Sequence, residues 1–235
     1  MKKIFLVLFM SLCLMFAVGC GSKGEEIKRE EAVALLSNID NVEVPEDGIT
    51  MEATTKTKDD EYTVKVVYSK TKHIAYSLIK GKDSKMEAWI YAQDDKLISA
   101  MRMVNGEEET KGYNEITVTE ATLDAQFAVF GKSIEGSIDF KGFISSVLEV
   151  INNLDNATEE DKIDTEKYYS KGDGNLTAEI KATIDGEEGT MSVSIDKGIV
   201  RSLKISSPDN KVEMKLSFTA SIKKPSIDDT WTKGF

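Results

Sequence analysis

Histidine, cysteine and proline are nearly missing from this chain of 235 residues, which holds one, two and three of them respectively. Each scarcity removes a class of explanation. A lone histidine, His73, cannot supply the His-Glu-x-x-His zinc motif, and no Gly-x-Ser-x-Gly nucleophile elbow occurs. Gly131-Lys132-Ser133 ends like a phosphate-binding loop, but the position where that loop needs its first glycine is Gln126. Pro45, Pro208 and Pro225 lie far apart, and no Pro-rich or Ser-rich tract interrupts the chain, so one domain is expected over 25–235. Positive charge is also short, with 30 Lys and Arg against 41 Asp and Glu. A surface that acidic repels nucleic acid and anionic headgroups, and neither is expected as a partner.

The only long apolar run is at the start, where Met1-Lys2-Lys3 is followed by uncharged residues from Ile4 to Val18. That is the pattern of a secretory signal, and it is shorter than the roughly 20 residues a membrane-spanning helix needs. Both cysteines sit in or beside it. Ala17-Val18-Gly19-Cys20 resembles a bacterial lipobox, in which a diacylglycerol is attached to the cysteine before cleavage. Cys13 follows the bulky Leu12 and would leave with the signal. Cys20 then has no thiol partner, which favours lipidation over a disulfide. The expected organisation is a signal at 1–19, a lipidated tether at 20–24 and the domain beyond. Loss of Lys2 and Lys3 leaves 28 basic residues against 41 acids, a mature charge of −13. The membrane contact is therefore expected through the diacylglycerol on Cys20, on the extracytoplasmic face, and not through a basic patch.

Beyond the tether, hydrophobic periodicity divides the chain. Glu25 to Ile39 predicts a helix, with acids in its first turn and Ala32, Leu35, Leu36 and Ile39 on one stripe. From Ile49 the period becomes two, giving strands near 49–54, 62–69, 73–80, 85–92, 96–104 and 110–118. The connections are too short for crossover helices, so neighbours should pair antiparallel. Ala121 to Phe130 predicts a short helix ending near Gly131. The stripe Phe140, Phe143, Ile144, Val147, Leu148, Ile151 and Leu154 predicts a longer one capped by Asp139. Strands resume at 176–184, 191–195 and 199–206. From Val212 to Ile222 six apolar residues alternate with polar ones, which predicts one strand with a buried and a wet face. About ten strands result.

The segment FKGFISSVLEVINNLDNATEEDKI (140–163), followed by GNLTAEIKATI and by GTMSVSIDKGIVRSLKISSPDNKVEMKLSFTASIKKPSID, resembles the C-terminal half of LppX/LprG-type lipoproteins and, more distantly, the LolA/LolB carriers. The likeness lies in the order of features and not in a signature motif. It implies an α+β fold: a single large curved antiparallel β-sheet, a half-barrel, with an N-terminal helix and central helices covering its concave face. It also implies an apolar cavity that holds a lipid or another hydrophobic ligand in the cell envelope. The family has no catalytic residues to transfer.

Candidate ligand-binding residues are therefore the central stripe, Phe140, Phe143, Ile144, Val147 and Ile151, with Trp89, Met101, Met103, Phe127, Phe130, Leu216 and Phe218 facing it. The same residues would serve equally as ordinary core. Acid pairs at Asp59-Asp60, Asp94-Asp95, Glu187-Glu188 and Asp228-Asp229, and the run Glu159-Glu160-Asp161, fall mainly in predicted turns. Solvated carboxylates are expected there, since none has EF-hand spacing. His73 beside Lys70 and Lys72 reads as an exposed edge residue. No cofactor, metal or catalysis is expected, and the competing expectation to ligand carriage is an envelope interaction or sensor module that binds a protein or polysaccharide.

Overall fold

A computed structural model describes residues 24–37, 45–137, 145, 148, 151, 152, 162–172, 174–184, 187–196 and 199–234. In chain order the elements are β1 (Glu25–Ile27), α1 (Arg29–Ser37), β2 (Ile49–Thr57), β3 (Glu61–Ser69), β4 (Ile74–Lys80) and β5 (Ser84–Gln93). Then come β6 (Lys96–Asn105), β7 (Glu108–Thr117), α2 (Glu120–Ser137), β8 (Lys162–Gly172), β9 (Asn175–Ile184) and β10 (Glu187–Asp196). The last are β11 (Ile199–Ser206), β12 (Asn210–Ser217) and β13 (Thr232–Lys233). The chain clusters in two compact units, one drawn from Met1–Val42, Thr55–Lys58 and Asp139–Leu216, the other from Glu43–Thr54, Asp59–Ile138 and Ser217–Phe235.

In the first unit the strand order is β1-β8-β9-β10-β11-β12, antiparallel throughout. The register stacks apolar residues in rows: Ala178 lies opposite Val193, Val193 opposite Leu203, and Leu203 opposite Met214. All four are buried. Each such Val, Leu or Met is worth about 1.5–3 kcal/mol when removed from water. The intervening residues form a wet ladder, in which Lys204 reaches Glu213 at 3.1 Å and Lys211 and Lys215 flank it. The Lys204 hydrogen bond holds the Glu213 carboxyl below its ordinary pKa. Helix α1 contacts β8 and β9 and buries Ala32 and Leu36, while Arg29 at its start grips Glu166 through bonds of 2.7 to 3.1 Å. Ser145, Leu148, Ile151 and Asn152 are helical, and Ile151 is fully buried.

In the second unit the order is β2-β3-β4-β5-β6-β7-β13; β3 to β7 pair antiparallel, and β13 runs parallel to β7, with Thr232 opposite Gly112. The register of β3 to β7 assigns every side chain to one of two faces. One carries Val67, Ile74, Tyr76, Trp89, Tyr91, Ile98 and Ala100 and is crossed by the chain after β12, whose Ala220, Ile222, Ile227 and Trp231 pack on it. We call it the tail face. The other, the helix face, receives α2: Tyr68 donates its hydroxyl to the Phe127 carbonyl at 2.5 Å, and Leu123 and Phe127 are buried.

Several expectations need correction. Among the described residues there are thirteen strands, not about ten, and the arrangement is mixed because of the β7–β13 pair. The three unforeseen strands lack clean alternation: β1 has three residues, β13 has two, and β8 is broken by irregularities near Thr165 and Gly172. Glu25–Ile27 is not helical because it pairs with Tyr168 to Ser170. The strand expected through Ile222 stops at Ser217, and Ala220 serves a different core. Helix α2 continues through Gly131, because that glycine lets the helix approach Tyr68: an added Cβ would lie 2.6 Å from the Tyr68 hydroxyl oxygen.

Candidate functional site

The helix face of the second unit is only partly covered. Its register positions include Val64 on β3, Ile79 on β4, Met86 on β5, Met101 and Met103 on β6 and Ile116 on β7. Tyr62 shares the side of Val64 by strand alternation. Tyr62, Val64, Ile79, Met103 and Ile116 are 36% to 53% exposed, and Val129 on α2 is exposed at 63%. Large apolar side chains scattered singly are ordinary on a surface, whereas Tyr62, Val64, Ile79 and Met103 gather at one end of the face, with Met86 between Ile79 and Met103, and form a patch; Ile116, opposite Leu97, lies at the other end.

Helix α2 covers the opposite end of this face and is fixed there by polar contacts. His73 adopts a positive φ of 47°, which turns the chain into β4. Its ring bonds Asp124 at 2.7 Å and tilts against Phe127 at 5.4 Å, so it docks α2 and is not the exposed edge residue expected. The Tyr68 bond and Gly131 complete the attachment.

The tail face holds a different feature, a half-open cleft of about 710 Å³ between β3–β7 and residues 221–231. Glu87 is nearly buried at its base, where Tyr76 donates a hydrogen bond at 2.9 Å and Lys85 approaches at 2.8 Å. Burial, reinforced by Glu87, pushes the Tyr76 phenol well above its ordinary pKa, so it remains a donor. Trp89 packs against Tyr76 and Trp231 and donates its indole N–H to the Lys223 carbonyl at 3.2 Å. In the first unit a second opening of about 800 Å³ is lined by Arg29, Glu166 and Tyr168 among others.

The residues singled out in the sequence are thus distributed. Met101 and Met103 lie on the helix face, Phe127 is buried beneath α2, and Phe130 is half-buried with its ring 5.6 Å from that of Phe127. Trp89 belongs to the tail face. Leu216 and Ile151 are buried in the first unit, and Phe218 is half-buried in the second. Phe140, Phe143, Ile144, Val147 and Cys20, with the signal, lie outside the described residues. Sequence reasoning missed Tyr62, Val64, Ile79, Met86 and Ile116. The available signal was the absence of a polar side: in β5, Met86, Ala88 and Ile90 alternate with Glu87, Trp89 and Tyr91, so both faces carry apolar groups.

Among the described residues no helix is long and apolar enough to cross a membrane, and no three His, Cys, Asp or Glu side chains are grouped to hold a metal ion. No protein-family model and no curated protein matches the chain. Among solved structures it is similar to LprF from Mycobacterium bovis, at 10% identity over 84% of this chain and 97% of that one, with a TM-score of 0.26. A likeness that loose assigns neither a family nor a ligand.

Proposed function

We propose that the chain is a lipid-anchored envelope protein without catalytic activity, whose second unit holds a hydrophobic ligand on its helix face. The observation that carries this reading is the clustering of Tyr62, Val64, Ile79 and Met103, all exposed at one end of one face of the sheet. A diacylglycerol on Cys20 would keep the chain near a bilayer, where acyl chains are the abundant apolar species. Methionines at 86, 101 and 103 suit a chain of variable shape, because the thioether adapts its rotamers at small cost. Burying a long acyl chain gains on the order of 10 kcal/mol before ordering costs, at about 0.8 kcal/mol per methylene.

The openness of the patch also favours a second reading, an interaction module that buries this face against a partner protein. One experiment separates the two. The mature chain with Cys20→Ser is purified from cells without detergent and extracted for mass spectrometry. Stoichiometric amphiphile supports the carrier. A lipid-free chain that cross-links through residues 79 and 116 to one protein in intact cells supports the module and rejects the carrier.

A further inference from the structure

The cleft on the tail face gathers positive charge in an acidic protein. Its lining includes six cations, Lys65, Lys85, Arg102, Lys111, Lys223 and Lys224, against two acids, Glu87 and Asp228, a local +4 in a chain of net −11. Glu52 and Glu109 compensate from alongside: Glu52 takes Lys65 at 2.8 Å, and Glu109 takes Arg102 at 2.5 Å and Lys111 at 2.7 Å. Counting both still leaves +2. The two tail lysines account for that excess. Lys224 sends its ammonium away, to the Ala92 carbonyl at 2.9 Å and over the Tyr91 ring, neither of which lines the cleft, so the excess inside it is +1, carried by Lys223. Among the described residues no carboxylate pairs with Lys223.

Such a cluster costs free energy unless an anion completes it, since like charges around one concave space repel more strongly than on a flat, fully hydrated surface. The space has the size of small-molecule sites. One side of it is apolar, formed by Trp89, Trp231 and Ile222. We propose that this cleft binds a phosphate-bearing small molecule, its phosphate meeting the unpaired Lys223 among the lining cations and its carbon portion lying against the two tryptophans. Arg102 and the lysines supply the donors that phosphate oxygens require. The site is on the opposite face of the sheet from the apolar patch and does not rest on the ligand-carrier reading. The same chemistry could be presented by a free phosphate ester or by a lipid headgroup.

The two tryptophans of the chain both line this cleft, so intrinsic fluorescence reports on it alone. The full chain in neutral maltoside micelles is titrated with inorganic phosphate, with glycerol 3-phosphate and with phosphatidylglycerol doped into the micelles, with sodium chloride at equal ionic strength as the reference. A saturable emission change is expected with at least one probe, weakening as salt is raised. Lys223→Glu, at a residue without an ionic partner to lose, should weaken it about tenfold, and Lys223→Gln less. Saturation by glycerol 3-phosphate identifies a soluble ester, and saturation by the doped micelles alone identifies a headgroup. A response no different from the chloride reference with all three probes overturns the proposal, as does a saturable response that Lys223→Glu leaves undiminished.

Discussion

In the first unit the apolar rows of the sheet are sealed, with Ala178, Val193, Leu203 and Met214 each at 0% exposure, and the one charge placed on that side by the register beside them, Glu166 opposite Ile180, is held by Arg29. The second unit is built from antiparallel strands of similar length and leaves Tyr62, Val64, Ile79, Met103 and Ile116 in water. Every large exposed apolar residue among those described belongs to the second unit. Its opposite face encloses the charged cleft. Strand alternation that closes on itself is a folding device, and the first unit uses it so. Apolar side chains that the fold aligns and then leaves uncovered mark the surface available for a partner.

The sharpest way to break this contrast is to place the same charge on both sheets. Val193→Asp puts an unpaired carboxylate in the sealed row of the first unit and should cost roughly 4 kcal/mol or more, enough to unfold it. Denaturant titration followed by circular dichroism checks this. Ile79→Asp, on the open face, should cost less than about 1 kcal/mol in the same measurement and should remove the bound hydrophobic ligand. Equal destabilisation by the two changes would erase the distinction.

An intermediate effect is expected where the second unit is tightly closed. Gly131→Ala drives a Cβ into the Tyr68 side chain, which its bond to the Phe127 carbonyl holds in place. A loss of about 1–3 kcal/mol is expected from overpacking, against the roughly 1 kcal/mol that alanine gains over glycine in a helix. In a Tyr68→Phe background the hydroxyl is gone, and the added cost of Gly131→Ala should fall. Thermal unfolding of the four proteins of this cycle measures the coupling.

The smallest effect is electrostatic. Glu213 on the wet ladder has its pKa lowered chiefly by the Lys204 hydrogen bond. A lowered folded pKa contributes stability that is complete above the unfolded glutamate value and is lost as pH falls through the folded one. Acidification below the ordinary glutamate range should therefore weaken the first unit, and Lys204→Ala should move the Glu213 titration upward, as carboxyl NMR shifts would show. The Lys204→Ala change in stability near neutral pH should be within about 1 kcal/mol, because the pair is partly exposed.

Much of the first unit was legible because its strands obey one rule: Leu176, Ala178 and Ile180 face the interior while their neighbours are polar. The second unit defeats that rule. Glu87 is more buried than Met103, since Tyr76 and Lys85 bond the carboxylate at the base of the cleft, with the Arg102 charge at 3.7 Å, while nothing described covers the methionine. Trp89 reads like Met101 by hydropathy, yet a one-residue difference in register sends them to opposite faces. The helix face could have been suspected from strands with no polar side. The cleft could not, because Lys65, Lys85, Arg102 and Lys111 come from four strands and Lys223 and Lys224 from the tail beyond the strand expected to end at Ile222. Alternation from Val212 to Ile222 is genuine, but the strand ends at Ser217 and Ala220 finds another core.

The direct measurement is the residue-level address of a bound acyl chain. A diazirine-bearing fatty acid equilibrated with the Cys20→Ser chain, photolysed and mapped by peptide mass spectrometry should mark Tyr62, Val64, Ile79 and Met103, and Ile79→Asp should abolish those adducts. Adducts spread over both units, concentrated on the Trp89 side, or undiminished by Ile79→Asp would contradict the account.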